Sequence, residues 1–220
     1  MPRNKHPEET IQKILDVSLK LFSENGYEKT TVLDIVNNLG GLTRGAFYHH
    51  FKSKEEVLDA LALKVLHDHN PFDAIKGRDD LNGLEKLRMV FLHTTKAVGT
   101  KEGADYIAYQ HIGLSLLEQP RFLAEQLKGN NEMARLITPI IEEGMTDGSI
   151  RPGSAKLLAE LLMILFNVWM LPPLFPMDAE MFEEKAEMIA QALDALGCPL
   201  MNEEFEQAGE AYAELLGIEE

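Results

Sequence analysis

Apolar residues in this chain recur at intervals of three and four, and no segment alternates them with period two, so the expected fold is all-α. Pro7 opens a first helix whose apolar face is Ile11, Ile14, Leu15 and Phe22, with the small Ser18 on the same face. Asn25-Gly26, residues that tolerate left-handed backbone, close it. Thr31 caps a short second helix with face Val32, Ile35, Val36 and Leu39. Gly40-Gly41 make a turn, and Thr43 caps a third, very short helix to about His50. Ser53 and Glu56 have the spacing of a capping box and start a fourth helix through Val57, Leu58, Leu61 and Val65.

Asn70-Pro71 breaks that helix, and Asp73 to Gly83 is rich in turn formers. Beyond it Leu84–Val98, Asp105–Leu117, Arg121–Met145, Ala155–Leu171, Ala179–Leu196 and Glu203–Leu216 read as helical. Their stops are Gly99, Gln119-Pro120, Asp147-Gly148, Pro172-Pro173 and Gly197, and Gly129-Asn130 offers a further break inside the third. Pro139 falls inside a continuous pattern and predicts a kink. Two domains are expected, 1–70 and 71–220, the second a helical bundle.

Charge is distributed unevenly. The formal net charge is -15, yet nine basic side chains balance nine acidic ones in residues 1–65, so the deficit lies wholly beyond them. Between Ile35 and Lys54 there is no acid, only Arg44, Lys52, Lys54 and two histidines. An acidic body with one acid-free basic stretch suits a protein that meets a polyanion with one end, though acidity kept for solubility covers the C-terminal part as well. The longest apolar stretch, Leu161 to Leu171, is interrupted by Asn167 and too short for a bilayer, which needs roughly 20 residues. The start MPRNKHPEET has no apolar core behind its basic residues and does not read as a signal peptide. One cysteine, Cys198, permits no internal disulfide, and a cytoplasmic location is expected.

Residues 30–58 hold the informative pattern. Two short helices joined by a glycine turn have the geometry of a helix-turn-helix, whose second helix enters the major groove of DNA. Arg44 stands in the first turn of that helix, where its guanidinium fork can reach guanine O6 and N7. Gly45 and Ala46 are small enough to let the backbone approach base edges. Tyr48, His49, Lys52 and Lys54 carry donors for phosphate, which fix register without reading sequence. Phe47 and Phe51, four apart, would pack the short helix onto the first two.

The run LFSENGYEKTTVLDIV followed by TRGAFYHHFKSKEEVL resembles the DNA-binding domain of the tetracycline-repressor (TetR) family over residues 10 to about 66. Leu21-Phe22, Gly26-Tyr27, Thr30-Thr31, Ile35, Gly45, Tyr48, Phe51 and Lys54-Glu55 stand in the family's order. The resemblance implies a homodimeric, usually repressing regulator whose C-terminal domain binds a ligand. It places Thr31, Thr43, Arg44, Gly45, Ala46, Tyr48, His49 and Lys54 at positions that commonly meet DNA. The sequence departs from the family at Leu39-Gly40-Gly41-Leu42-Thr43, one residue longer than the usual turn, and at Val36, where a small residue is usual. One of the two glycines is expected to take positive φ, with the recognition helix starting at Thr43.

The second domain says less. Phe91, His93, Tyr106, Tyr109, His111, Met133, Met163, Phe166, Trp169 and Met170 are amphipathic or flexible side chains of the kind that line adaptable pockets, or else ordinary core. Leu157, Leu158, Leu161, Leu162, Ile164, Leu165 and Val168 make Ala155–Leu171 apolar nearly all round, so this helix and Ala179–Leu196 are the expected homodimer surface. Adjacent His49-His50 point about 100° apart and make a poor chelate. No Glu-x-x-His, H-E-x-x-H, C-x-x-C, P-loop or G-x-G-x-x-G occurs, so no metal, no cofactor and no enzymatic activity are expected. The expected partners are double-stranded DNA, a small-molecule effector and a second copy of the chain, with no membrane. The function expected is a ligand-responsive repressor on a palindromic operator. The alternative is a helical ligand-binding or scaffold protein whose helix-turn-helix no longer binds DNA; acids in place of Arg44, Lys52 and Lys54 would have favoured it.

Overall fold

A computed structural model describes residues 7–93, 96, 100 and 103–218, and among these there are helices and no strand. The chain divides into two compact units, one of Met1–Asn70 with Ala104–Ile112, the other of Pro71–Gly103 with Gly113–Glu220. Arg3, Lys5 and the expected stop at Gly99 lie outside the described residues.

The first unit holds α1 (Pro7–Asn25), α2 (Val32–Asn38), α3 (Arg44–His50) and α4 (Lys54–Asp68). Ile14, Phe22, Ile35, Leu39, Phe47, Val57 and Leu61 are almost wholly buried and form its core. Gly26, at φ 82°, ends α1 in the left-handed region where a side chain would be strained. Thr30 then ties the connection down, donating its hydroxyl to the carbonyls of Leu21 and Gly26. Thr31 and Asp34 form a reciprocal capping box at the start of α2.

Both glycines of the next turn have positive φ, 60° at Gly40 and 99° at Gly41, where the sequence called for one. Thr43 caps α3 through the Ala46 amide. The capping box expected of Ser53 and Glu56 is only half formed. Ser53 accepts from the Glu56 amide, but the Glu56 carboxylate reaches one residue further back, to the Lys52 amide at 2.7 Å.

The second unit contains α5 (Gly83–Phe91), α7 (Pro120–Asp147), α8 (Ala155–Ile164), α9 (Ala179–Leu196) and α10 (Glu203–Leu216), while α6 (Ala104–Leu116) starts in the first unit and ends in this one. Leu87, Ile137, Ile141, Leu162, Leu193 and Leu200 lie at the centre of its core. Helices α5 and α7 cross closely because Gly83 and Gly144 meet there. A Cβ on Gly83 would overlap the Gly144 backbone. Asp147, at the end of α7, accepts from the Gly83 amide at 2.7 Å and so caps α5; bonds from Ser149 and Gly83 hold its carboxyl below the usual range.

Three expectations about this unit change. Helix α6 stops before Gln119-Pro120 as expected, but α7 starts at Pro120 and not at Arg121, as suits a residue with no amide hydrogen to leave unpaired. Gly129-Asn130 does not divide α7, which runs 28 residues through both Gly129 and Pro139; Asn130 points into the core instead. The helix expected over Ala155–Leu171 is α-helical only to Ile164 and widens into a π-helical turn over Leu165–Trp169.

Candidate nucleic-acid interface

Helix α3 is held from beneath by Phe47, fully buried, whose ring lies 6.1 Å from that of Phe51. With that face buried, Arg44, Gly45, Tyr48 and His49 are left exposed on the other side, and Thr43 is exposed at its start. Ala46 is half-buried. A Cβ on Gly45 would meet nothing nearer than Thr43 Oγ1 at 3.8 Å, so no neighbour within the protein requires a glycine. The Arg44 guanidinium lies 5.5 Å from the Tyr48 ring, a stacking that holds the fork extended along the helix surface.

The other expected residues have distinct settings. Thr31 is exposed, but its hydroxyl donates to Asp34 at 2.6 Å, and this bond depresses the Asp34 carboxyl. Lys52 leaves 88% of its side chain in solvent and pairs loosely with Glu56 at 3.8 Å. Lys54 leaves only 18%. Its ammonium donates to the carbonyls of Tyr27, Glu28 and Thr30 at 2.9, 3.3 and 3.3 Å and lies 4.3 Å from the Tyr27 ring centre. All three donors of this expected phosphate ligand are thus engaged, and they tie the start of α4 to the link between α1 and α2. His50, in the last turn of α3, is half-buried; burial first, and His49 beside it second, push its pKa down.

The residues expected to line an effector pocket separate into two groups. Met163 and Met170 are buried in the core of the second unit, with Phe91, Met133, Phe166 and Trp169 packed against it. The Phe91 and Phe166 rings are 4.9 Å apart. His93 is half-buried in the same unit. Tyr106, Tyr109 and His111 belong to the part of α6 in the first unit, where Tyr106 is buried with its ring 5.1 Å from His69, Tyr109 is half-buried and His111 is exposed. Leu157 and Ile164 of α8, and Met181 and Met188 of α9, are exposed apolar residues.

Sequence reasoning passed over two buried polar side chains in the second unit, Asn130 and Lys185, and the half-buried Asn167. Asn130 and Asn167 bond to each other, and Lys185 donates to the Trp169 carbonyl at 3.0 Å. The available signals were Asn167 interrupting the longest apolar run and Lys185 sitting in register with Phe182 and Ile189 on the apolar face of α9. Cys198 is fully buried, and burial pushes its thiol up to about 11, so it is not a nucleophile at neutral pH. Among the described residues no cluster of His, Cys, Asp or Glu could hold a metal ion, and no helix is long and apolar enough to cross a membrane.

A helix-turn-helix with an exposed, acid-free second helix, in a chain otherwise built of helices, is the build of a DNA-binding transcriptional regulator. The family model for bacterial regulatory proteins of the tetR family matches residues 14–61, from the middle of α1 into α4. The transcriptional repressor KstR2 of Mycolicibacterium smegmatis is 32% identical over 152 residues, 66% of this chain and 70% of that protein. A bacterial regulatory protein of the tetR family from Rhodococcus RHA1 is 25% identical, with TM-score 0.52 over 87% of this chain and 98% of that one. SmeT, solved as a complex with triclosan, shares the fold at 20% identity, with TM-score 0.63 over 94% of this chain and 91% of that one. The chain belongs to the TetR family of transcriptional regulators.

Proposed function

We propose that the protein is a homodimeric repressor that reads a palindromic operator with α3 and leaves it when a small molecule binds the second unit. The observation that carries the DNA reading is the outer face of α3: Arg44, Gly45, Tyr48 and His49 exposed together, with Lys52 beside them and no acid from Val36 to Ser53. Arg44 contacts a base edge; Gly45 and Ala46 let the helix backbone approach it; Thr31, Thr43, Tyr48, His49 and Lys52 bind phosphates. Lys54 acts differently from its neighbours, as a positioning residue that fixes α4 against the link before α2.

Dimerisation is assigned to α8 and α9. Leu157, Leu161, Ile164 and Val168 follow one another at i, i+4, i+7 and i+11, a stripe opposite the buried Ala155, Ala159 and Leu162. A stripe on which Leu157 is 64% and Ile164 55% exposed is what an interface leaves uncovered in a single chain. Light scattering at micromolar concentration should give twice the 24.7 kDa chain mass; a monomer would remove this part. The effector reading draws on Phe91, Met133 and Phe166 gathered on one core, and on the same fold holding triclosan in SmeT.

The experiment is a salt-dependent gel shift on the DNA upstream of the chain's own gene. Arg44→Ala should weaken the specific complex by about 1–3 kcal/mol and relax preference at one base position. Lys52→Ala should weaken all sequences alike and flatten the salt dependence by about one unit. Equal weakening of every sequence by Arg44→Ala would make that arginine a phosphate contact instead.

A further inference from the structure

The middle of the second unit carries a polar arrangement that packing does not explain. Asn130, on α7, is 9% exposed. Its Oδ1 accepts from Asn167 Nδ2 at 3.2 Å, and its own Nδ2 has no acceptor among the described residues. A buried amide donor left unbonded is expensive, and native cores rarely keep one. Replacing both asparagines by aliphatic residues would cost a core little, so the pair is not there for stability alone.

Its location is equally specific. Asn167 stands in the π-helical turn Leu165–Trp169, where the Met170 amide bonds back to Leu165, five residues earlier. Such turns inside α-helices recur at functional sites. The turn also sets neighbouring side chains to different tasks. Asn167 meets Asn130 and Met163, Phe166 meets Phe91, and the carbonyls of Phe166 and Trp169 are taken by Tyr212 and Lys185. Lys185 thereby directs its charge to a backbone carbonyl, not toward the asparagines. Asn167 Nδ2 also reaches the Met163 thioether at 3.7 Å, and Met133 stands one turn along α7 from Asn130.

We propose that Asn130 Nδ2, held in place by Asn167, is the polar anchor of the effector site, and that the effector is a mostly apolar, uncharged molecule with an acceptor oxygen such as a carbonyl. This rests on the effector reading above and specifies its chemistry. A neutral acceptor satisfies the amide; a carboxylate would have to lose its water, and Lys185, the buried lysine of this unit, already gives its ammonium to the Trp169 carbonyl. Met133 and Met163 adapt to the apolar part, and the π turn moves with the amide it positions.

Three probes of one shape separate the outcomes: benzophenone offers an acceptor, diphenylamine a donor, and diphenylmethane neither. Binding to the full-length protein is measured by equilibrium dialysis, and operator release by gel shift with the same compounds. Benzophenone should bind about tenfold more tightly than diphenylmethane, the ordinary worth of one hydrogen bond in a dry site, with diphenylamine no better than diphenylmethane. Asn130→Leu, similar in shape, should erase the tenfold difference while leaving diphenylmethane affinity unchanged and the melting temperature equal or higher. Asn167→Leu frees the Asn130 amide to rotate and should erase part of the difference. Equal binding of all three compounds, or a preference that survives Asn130→Leu, overturns the anchor but leaves an effector site standing. Failure of all three to bind removes the effector reading and the anchor together.

Discussion

Each unit packs a largely covered lysine over aromatic side chains, Lys54 over Tyr27 and Lys185 over Trp169 and Phe175, and the two are held differently. Lys54 gives its ammonium to three backbone carbonyls and has the Glu28 carboxylate 3.9 Å away. Lys185 reaches a single carbonyl, lies over Trp169 and Phe175, and has no carboxylate in ion-pair range among the described residues; burial alone lowers its pKa. The glycines differ in the same way. Gly45 has space around it and no neighbour that requires it, whereas Gly83 is pressed against the Gly144 backbone. In the first unit the buried lysine nitrogen is fully bonded, the Ser18 hydroxyl on α1 is buried without a partner, and the exposed polar groups lie on the outer surface of α3, where a second molecule can use them. In the second unit the tight contact is at a helix crossing, and the unbonded interior group is an amide donor, Asn130 Nδ2.

The glycines provide the largest test. Gly83→Ala must push α5 away from α7 or distort both, and should lower the unfolding free energy by about 3 kcal/mol, the upper range of overpacking. Gly45→Ala should leave stability equal or raise it by up to about 1 kcal/mol, because alanine is the better helix former. Its effect should appear instead as weakened operator binding, since the added methyl group stands where DNA would approach. Urea unfolding and gel shifts of the two variants check both statements. A Gly45→Ala variant that binds like the parent would show that α3 does not bring its backbone close to DNA.

The lysines give the next largest difference. Lys54→Met removes the donor from three carbonyls at once and should destabilise by about 2 kcal/mol. Lys185→Met leaves one carbonyl without its donor but replaces a desolvated, unpaired charge by an apolar chain of similar length. These effects oppose each other, and the net change should stay below about 1 kcal/mol. Thermal unfolding distinguishes the two. The salt slope of operator binding adds a second check on Lys54: as a positioning residue it should leave the slope unchanged, where Lys52→Ala flattens it.

How far the sequence could be read follows the same division. Thr31, Thr43 and Ser53 mark the starts of α2, α3 and α4 because a hydroxyl at an N-cap acts on amides two or three residues away, information that is wholly local. The family resemblance over the same stretch added the grouping of Thr43 to His49, with Thr31 and Lys54, into one surface. Lys54 was read only as a charge, since nothing local shows that the carbonyls of residues 27–30 lie within reach. In the second unit Gly129-Asn130 looked like a break, and only the bond from Asn167, in the π turn after α8, shows what a polar residue there meets. The π turn escaped notice for a related reason. Leu165 to Trp169 are ordinary helix residues, and the extra residue in the turn is fixed by what Asn167, Tyr212 and Lys185 bond across space.

The smallest expected effect is a pH dependence that belongs to the first unit. His50 sits half-buried at the end of α3, and its pKa lies below the usual 6.5, first because burial disfavours the charged ring and second because His49 stands next to it. The folded chain therefore resists protonation at a pH where the unfolded chain accepts it. Between pH 6.5 and the lower folded value the unfolded state binds more protons, so stability must fall as pH falls through that window, and the loss levels off below it. His50→Gln cannot titrate and should flatten that part of the stability curve. His49→Gln removes only the second cause, so it should reduce the slope without abolishing it. Urea unfolding at half-unit steps from pH 7.5 to 5.5 measures all three chains. A slope in the His50→Gln chain equal to the parent's would assign the dependence to another histidine and leave His50 as packing for α3.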